Sequence, residues 1–278
     1  MTSSKGFDEA YRTAQSIGCT AMQIFAKSPM QSKGRKVADE ESTLALKAKK
    51  ETGVTHMVIH AGYLLNFSKE LKLTDYQSRS LMEDIVNSDM LGGEGAVVHC
   101  GKALELAPEV ARENFVQNIV AMLEETKGCK SSIILENTAG QGTEIGFRFD
   151  DLGAFFKQIR KQTTQKKRIK VCIDTAHTFA GNYDLRKKAG VHDALDQIEH
   201  ETGLEHIACV HYNDSKKPLF SRVDRHEDIG EGTIGDEGLR EFILEMSKRT
   251  DSTVPFVLET PQGVSTYEEQ LKKIKSWF

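Results

Sequence analysis

Seven short apolar runs punctuate the chain: CTAMQIFA from Cys19, HMVIHAG from His56, GAVVHC from Gly95, SSIILENT from Ser131, IKVCIDTAH from Ile169, IACVHYND from Ile207 and PFVLETP from Pro255. Successive starts lie 37, 39, 36, 38, 38 and 48 residues apart. Between them apolar positions recur with helical period, as at 7–17, 108–127 and 235–249. Near-continuous apolar strands alternating with helices predict an α/β fold with a parallel sheet covered on both faces. So regular a unit favours a (βα)8 TIM barrel over an open sheet. Such a barrel needs eight strands, and seven runs are visible. The helical stretch at 7–17 leaves no room for a strand before it, so the first strand is expected to be missing or truncated. No linker or low-complexity segment divides the pattern, and one domain spanning 1–278 is expected.

Composition narrows the class. Of 278 residues, 38% are hydrophobic and 28% charged, and no apolar run approaches the ~20 residues of a membrane span. No basic-then-apolar leader opens the chain, so membrane and secretory readings are not expected. The five cysteines (Cys19, Cys100, Cys129, Cys172, Cys209) are odd in number and show no CxxC pairing. They predict core thiols in a reducing, intracellular compartment and exclude a disulfide framework or zinc-finger module. The net charge of −4 carries no global nucleic-acid footprint, so positive potential for DNA must be local. With no oligomerisation signal, a monomer is expected.

In a parallel barrel, catalytic groups gather at the C-terminal ends of strands and in the loops that follow. His60 ends the second run, His99 the third, Glu136 the fourth, and Asp174 with His177 the fifth. His211 lies near the end of the sixth, Asp224 and His226 follow in its loop, and Glu259 ends the seventh. Burying so many carboxylates and imidazoles together is expensive unless cations compensate. Five imidazoles and four carboxylates, without a thiolate, suit zinc or a similar first-row ion, and sharing one carboxylate lets nine ligands serve three ions. His56, His192, His200 and His206 fall outside this pattern and are read as structural.

The motifs that carry these residues are ILENTAGQGTEIG (134–146), CIDTAHTFAGNYDL (172–185) and HYNDSKKPLFSRVDRHEDIGEGTIG (211–235), with HAGYLLN (60–66), VVHCGKAL (97–104) and FVLET (256–260). In them, from about Lys5 to the C-terminus, the chain resembles the endonuclease IV family of abasic-site DNA endonucleases. The resemblance implies a trinuclear zinc site, with manganese able to replace one ion. One ion falls to His60, His99 and Glu136. Glu136 bridges to a second, completed by Asp174, His211 and Glu259, and His177, Asp224 and His226 hold the third. It further implies hydrolysis of the phosphodiester bond 5′ to an abasic site in double-stranded DNA, leaving a 3′-hydroxyl and a 5′-deoxyribose phosphate, with Glu136 positioning the nucleophile. DNA with damaged 3′ ends is a further expected partner. The family pattern begins with a strand that this chain lacks, in line with the count of seven, and no metal ligand sits on it.

The family's wedge segment matches Tyr63 and Leu64, which would fill the gap left by an extruded nucleotide. Met30 stands where the family usually has an arginine reaching into the DNA, and Lys33, Arg35 and Lys36 are the nearby replacements. Cys100 stands where the family commonly has proline. Lys27, Lys216, Lys217, Arg222 and Arg225 also follow strands and complete the expected phosphate contacts. The dense run Lys166, Lys167, Arg168, Lys170 precedes a strand and is read as solvated surface on the far face. GQGTEIG has the spacing GxGxxxG, which is not the dinucleotide fingerprint. Two rivals stand beside the endonuclease. A single-metal sugar isomerase or epimerase would need only Glu136, Asp174, His211 and Glu259. A catalytically silent DNA-binding relative would not need to retain the full ligand set.

Overall fold

The structure is a computed structural model that describes residues 1, 3–27 and 35–278. The chain forms two compact units. The first comprises Met1–Gly101, Leu106–Leu135 and Gln158–Lys170, and the second Lys102–Glu105, Glu136–Lys157 and Val171–Phe278.

In the first unit helix α1 (Phe7–Ser16) buries Phe7, Ala10, Tyr11 and Ala14, the i, i+3, i+4, i+7 stripe of an amphipathic helix. Strand β1 (Ala21–Ile24) follows, then α2 (Asp39–Thr52), β2 (His56–His60), α3 (Tyr76–Met90), β3 (Gly95–His99), α4 (Pro108–Glu125) and β4 (Ser132–Glu136), whose last residue belongs to the second unit. The ladder runs β1-β2-β3-β4, with Ile24 opposite Ile59 and His60 opposite Val97 in parallel register. Gly95 starts β3 where a Cβ would lie 2.3 Å from the carbonyl oxygen of Ser132, so only glycine permits this approach of the two strands. Met57 and Ile59 of β2 pack with Phe7, Tyr11 and Ala45 in a core without water access. Each large side chain so buried contributes about 1.5–3 kcal/mol.

One member of the basic run, Arg168, departs from its expected place on the solvated surface, while Lys166 and Lys167 are exposed. Arg168 is buried, and its guanidinium donates to the carbonyls of Ser131 (2.8 Å), Leu123 (3.2 Å) and Thr126 (2.7 Å) and to the Thr126 hydroxyl (3.1 Å). The last carbonyls of α4 have no helical partners, and a cation at a helix C-terminus satisfies them and opposes the dipole.

The second unit takes in Glu136, α5 (Phe149–Gln162) up to Lys157, β5 (Ile169–Asp174) from Val171 onward, the short α6 (Thr175–Ala180), α7 (Lys188–Thr202) and β6 (Ile207–His211). Then come an antiparallel pair, β7 (Asp214–Ser215) and β8 (His226–Glu227), α8 (Gly235–Arg249), β9 (Phe256–Val257) and α9 (Val264–Lys275). Its ladder is β5-β6-β9, parallel, with Cys172 opposite Cys209 and Asp174 opposite His211. The seven apolar runs thus become seven ladder strands among the described residues, and α1 is the first element of the chain, as the periodicity predicts. The β7–β8 pair is a sheet feature that the hydrophobic pattern does not announce.

Candidate metal centre

Every ladder strand from β2 to β6 ends on an ionisable residue: His60, His99, Glu136, Asp174 and His211. Glu259 lies two residues beyond the end of β9. In the first unit the rings of His60 and His99 meet edge to face with centroids 5.3 Å apart. The Nδ1 of His60 faces the carbonyl of Ala61 at 2.7 Å. A carbonyl only accepts, so this nitrogen carries the proton and Nε2 keeps the lone pair a metal ion requires.

Two donor groups form within the second unit. Donor atoms of Glu136, Asp174, His211 and Glu259 lie within 4.8 Å of one another, as do those of Asp174, His177 and His226. Asp224 joins the second group, its Oδ1 3.3 Å from His177 Nε2 and 3.4 Å from His226 Nε2. The Nδ1 of His177 faces the carbonyl of Asn137 at 2.9 Å and that of His226 the carbonyl of Glu259 at 3.2 Å, so both again turn Nε2 toward the carboxylates. His226 Nε2 is buried without a hydrogen-bond partner, 3.6 Å from Asp174 Oδ2.

The electrostatics of these groups favour cations. Burial opposes a charge on His177, yet the Asp174 and Asp224 carboxylates outweigh it and raise its pKa well above the usual imidazole range. Burial likewise opposes a charge on His211, and Glu259 and Glu136 reverse the sign. Donors of imidazole nitrogen and carboxylate oxygen, desolvated and within a few ångströms of one another, fit a divalent first-row ion.

Sequence reasoning missed the residues that hold these ligands in place. Asn213, fully buried, donates from Nδ2 to Asp174 Oδ2 (2.7 Å) and Glu259 Oε2 (3.3 Å), while its Oδ1 accepts from the Glu259 amide (2.8 Å). Asn137 accepts from the Asp174 amide at 2.8 Å. Asp174 also caps α6, its Oδ1 accepting from the His177 amide at 2.7 Å, which locks the DxxH spacing. The visible signal was an asparagine one residue after Glu136 and two after His211. Asp214 accepts from the amides of Gly230, Gly232, Ile234 and Gly235 and so shapes the loop before α8. At Gly232 a Cβ would stand 2.5 Å from the Asp214 carboxylate, which explains the middle glycine of GEGTIG.

The candidate DNA contacts divide. Tyr63 and Leu64 are more than half exposed, and the Tyr63 ring leans on Phe25 at 5.3 Å and on His60 at 5.8 Å. Arg222 lies over the rings of Phe147 (4.5 Å) and Phe220 (5.1 Å), Lys216 pairs with Glu227 at 3.2 Å, and Arg225 donates to the Asp224 carbonyl. Met30 and Lys33 lie outside the described residues. Arg35 pairs with Glu41 and sits 4.6 Å over the Phe7 ring. Lys27 departs from its expected role. Its side chain is 7% exposed and donates to the Ser80 carbonyl (2.8 Å) beside Asp84 (3.0 Å), because a buried carboxylate on α3 needs a cation. His56, His192, His200 and His206 each sit beside a glutamate, as structural histidines do. Among the described residues no helix is long and apolar enough to cross a membrane.

Comparison with known proteins places this architecture. The family described as Xylose isomerase-like TIM barrel matches residues 11–277, so the fold class is the TIM barrel. A probable endonuclease 4 of Chloroflexus aurantiacus is 32% identical over 272 residues, 98% of this chain and 93% of that protein. The crystal structure of endonuclease IV from Thermus thermophilus matches with a TM-score of 0.84 at 32% identity, covering 100% of this chain and 96% of that one. The chain belongs to the endonuclease IV family. A D-psicose 3-epimerase of Clostridium cellulolyticum shares the fold alone, at 12% identity and a TM-score of 0.65 over 99% of this chain and 94% of that one.

Proposed function

We propose that this chain is a zinc-dependent endonuclease of base excision repair, hydrolysing the phosphodiester bond 5′ to abasic sites in double-stranded DNA and leaving 3′-hydroxyl and 5′-deoxyribose phosphate ends. It acts inside the cell as a single-domain monomer. The observation that carries the reading is the meeting of Glu136, Asp174, His211 and Glu259 beside Asp174, His177 and His226. In this reading nine residues, His60, His99, Glu136, Asp174, His177, His211, Asp224, His226 and Glu259, hold three zinc ions, with manganese able to replace one. Zinc so held supplies Lewis acidity toward the phosphodiester and lowers the pKa of water, so that a nucleophile is available at neutral pH.

The protein's own groups do the remaining work. Glu136, fully buried and hydrogen-bonded to His211 at 2.8 Å, orients the nucleophile. Asn213 and Asn137 keep Asp174 and Glu259 from swinging apart, so the donors need no reorganisation when charge develops on the phosphate. Tyr63 and Leu64 present apolar surface to the gap left by an extruded nucleotide, and extrusion costs least where no base is paired. Lys216, Arg222 and Arg225, with Lys33 and Arg35 from the sequence after β1, meet the backbone in a salt-dependent way, and Met30 offers an apolar contact where the family usually has arginine. Arg35 must first leave Glu41. The epimerase reading leaves His177, Asp224 and His226 without a task, and the silent binder has no reason to keep these donors together.

The test is incision of a duplex carrying one tetrahydrofuran abasic analogue by zinc-replete protein, with Glu136→Gln as control. Cleavage 5′ to the lesion, lost in the control, supports the proposal. Intact DNA in the presence of bound zinc defeats it.

A further inference from the structure

We propose that Cys172, Cys209 and His211 form a second metal site, one layer below the carboxylate cluster, selective for a thiophilic ion such as cadmium(II) or copper(I). Cys172 precedes Asp174 by two residues on β5 and Cys209 precedes His211 by two on β6, so alternation puts each thiol on the same strand face as the ligand that follows it. The register pairs Cys172 with Cys209 directly across the two strands. Both side chains are fully buried. Their sulfurs and one nitrogen of His211 all lie within 4.8 Å of one another.

These distances suit one ion. With metal–sulfur bonds of about 2.3 Å, as for zinc, two sulfurs on a single ion sit no more than ~4.6 Å apart, and the larger cadmium ion widens that span, so at most a small shift of the thiols completes the contact. The donor chemistry sets the selectivity. Glu136, Asp174 and Glu259 offer hard oxygen, whereas the layer beneath offers two sulfurs and an imidazole, the set that soft ions choose. Binding releases one proton from each thiol to solvent as the sulfur electron pairs pass to the ion. His211 belongs to both sets, so a soft ion competes with the carboxylate cluster for this side chain. The inference rests on the geometry of the second unit and is independent of the proposed nuclease activity.

The experiment is titration of the purified full chain with cadmium(II) alone, followed in the ultraviolet for the sulfur-to-metal charge-transfer band. Hard oxygen and nitrogen ligands do not produce this band, so cadmium exchanging into the carboxylate cluster stays silent. We expect a band that saturates at one equivalent, is lost in Cys172→Ser and in Cys209→Ser, and persists when Cys19, Cys100 and Cys129 are all serine. No band in the wild type, or a band that survives both single substitutions, overturns the proposal. If a serine variant does not fold, X-ray absorption of the cadmium-loaded wild type decides. Two sulfur neighbours uphold the site, and a shell of oxygen and nitrogen only removes it.

Discussion

Asn213→Ala isolates the contribution of a residue outside the candidate ligand set. The side chain is fully buried and makes three hydrogen bonds around the carboxylates, at 2.7 Å to Asp174 and 3.3 Å to Glu259 as donor, and at 2.8 Å from the Glu259 amide as acceptor. A hydrogen bond to a charged group is worth about 1.5–3 kcal/mol, and the short bond to Asp174 belongs at the upper end of that range while the 3.3 Å bond adds little. The alanine variant also leaves the Glu259 amide without its acceptor, which costs about 1–3 kcal/mol. Loss of such an orienting partner lowers metal affinity ~10- to 100-fold. The assay is competition for zinc between the full chain and a chromogenic chelator, run beside wild type at fixed pH. Affinity for the tightest ions within about twofold of wild type would refute the argument, because Asp174 and Glu259 would then be held by something other than Asn213.

Arg168→Met removes four hydrogen bonds to the end of α4 and the start of β4. It should destabilise the protein by about 3–5 kcal/mol, whereas a solvated arginine would cost under ~0.5 kcal/mol; the midpoint of urea unfolding distinguishes them, with Lys167→Met as the silent control. Burial raises the Asp84 pKa from 3.8 to about 6 even though Lys27 opposes the shift. Between those values the folded state binds more protons than the unfolded state, so stability falls as pH rises from about 4 to 6. This group alone accounts for a loss of ~3 kcal/mol. The stability difference between wild type and Asp84→Asn should therefore shrink by that amount from about pH 4 to about pH 7, and a difference independent of pH would contradict the assignment.

Much of the fold and the strand-end placement of the candidate site residues was legible along the chain, because both are encoded at short range. An apolar run of about five residues between helical stretches reads as a buried parallel strand, and its last polar residue falls at the strand's C-terminal end. His60, His99, Glu136, Asp174 and His211 could therefore be placed from periodicity alone. The DxxH spacing at Asp174 and His177 was equally local, since one turn of helix brings both to the same side.

The tertiary structure decided which partners meet across long stretches of sequence. Arg168 is charged and lies in a basic run, so composition placed it in water, and only the carbonyls at the end of α4 explain its burial. Lys27 followed a strand and looked free to meet a phosphate, until α3 brought Asp84 against it. Asn213 carries no charge, and its spacing two residues after His211 acquired meaning only once Asp174 and Glu259 closed around it. Hydrophobic periodicity reports which face of an element is buried, whereas the pairing of one buried polar group with another depends on where distant elements cross, and that is settled only when the chain has folded.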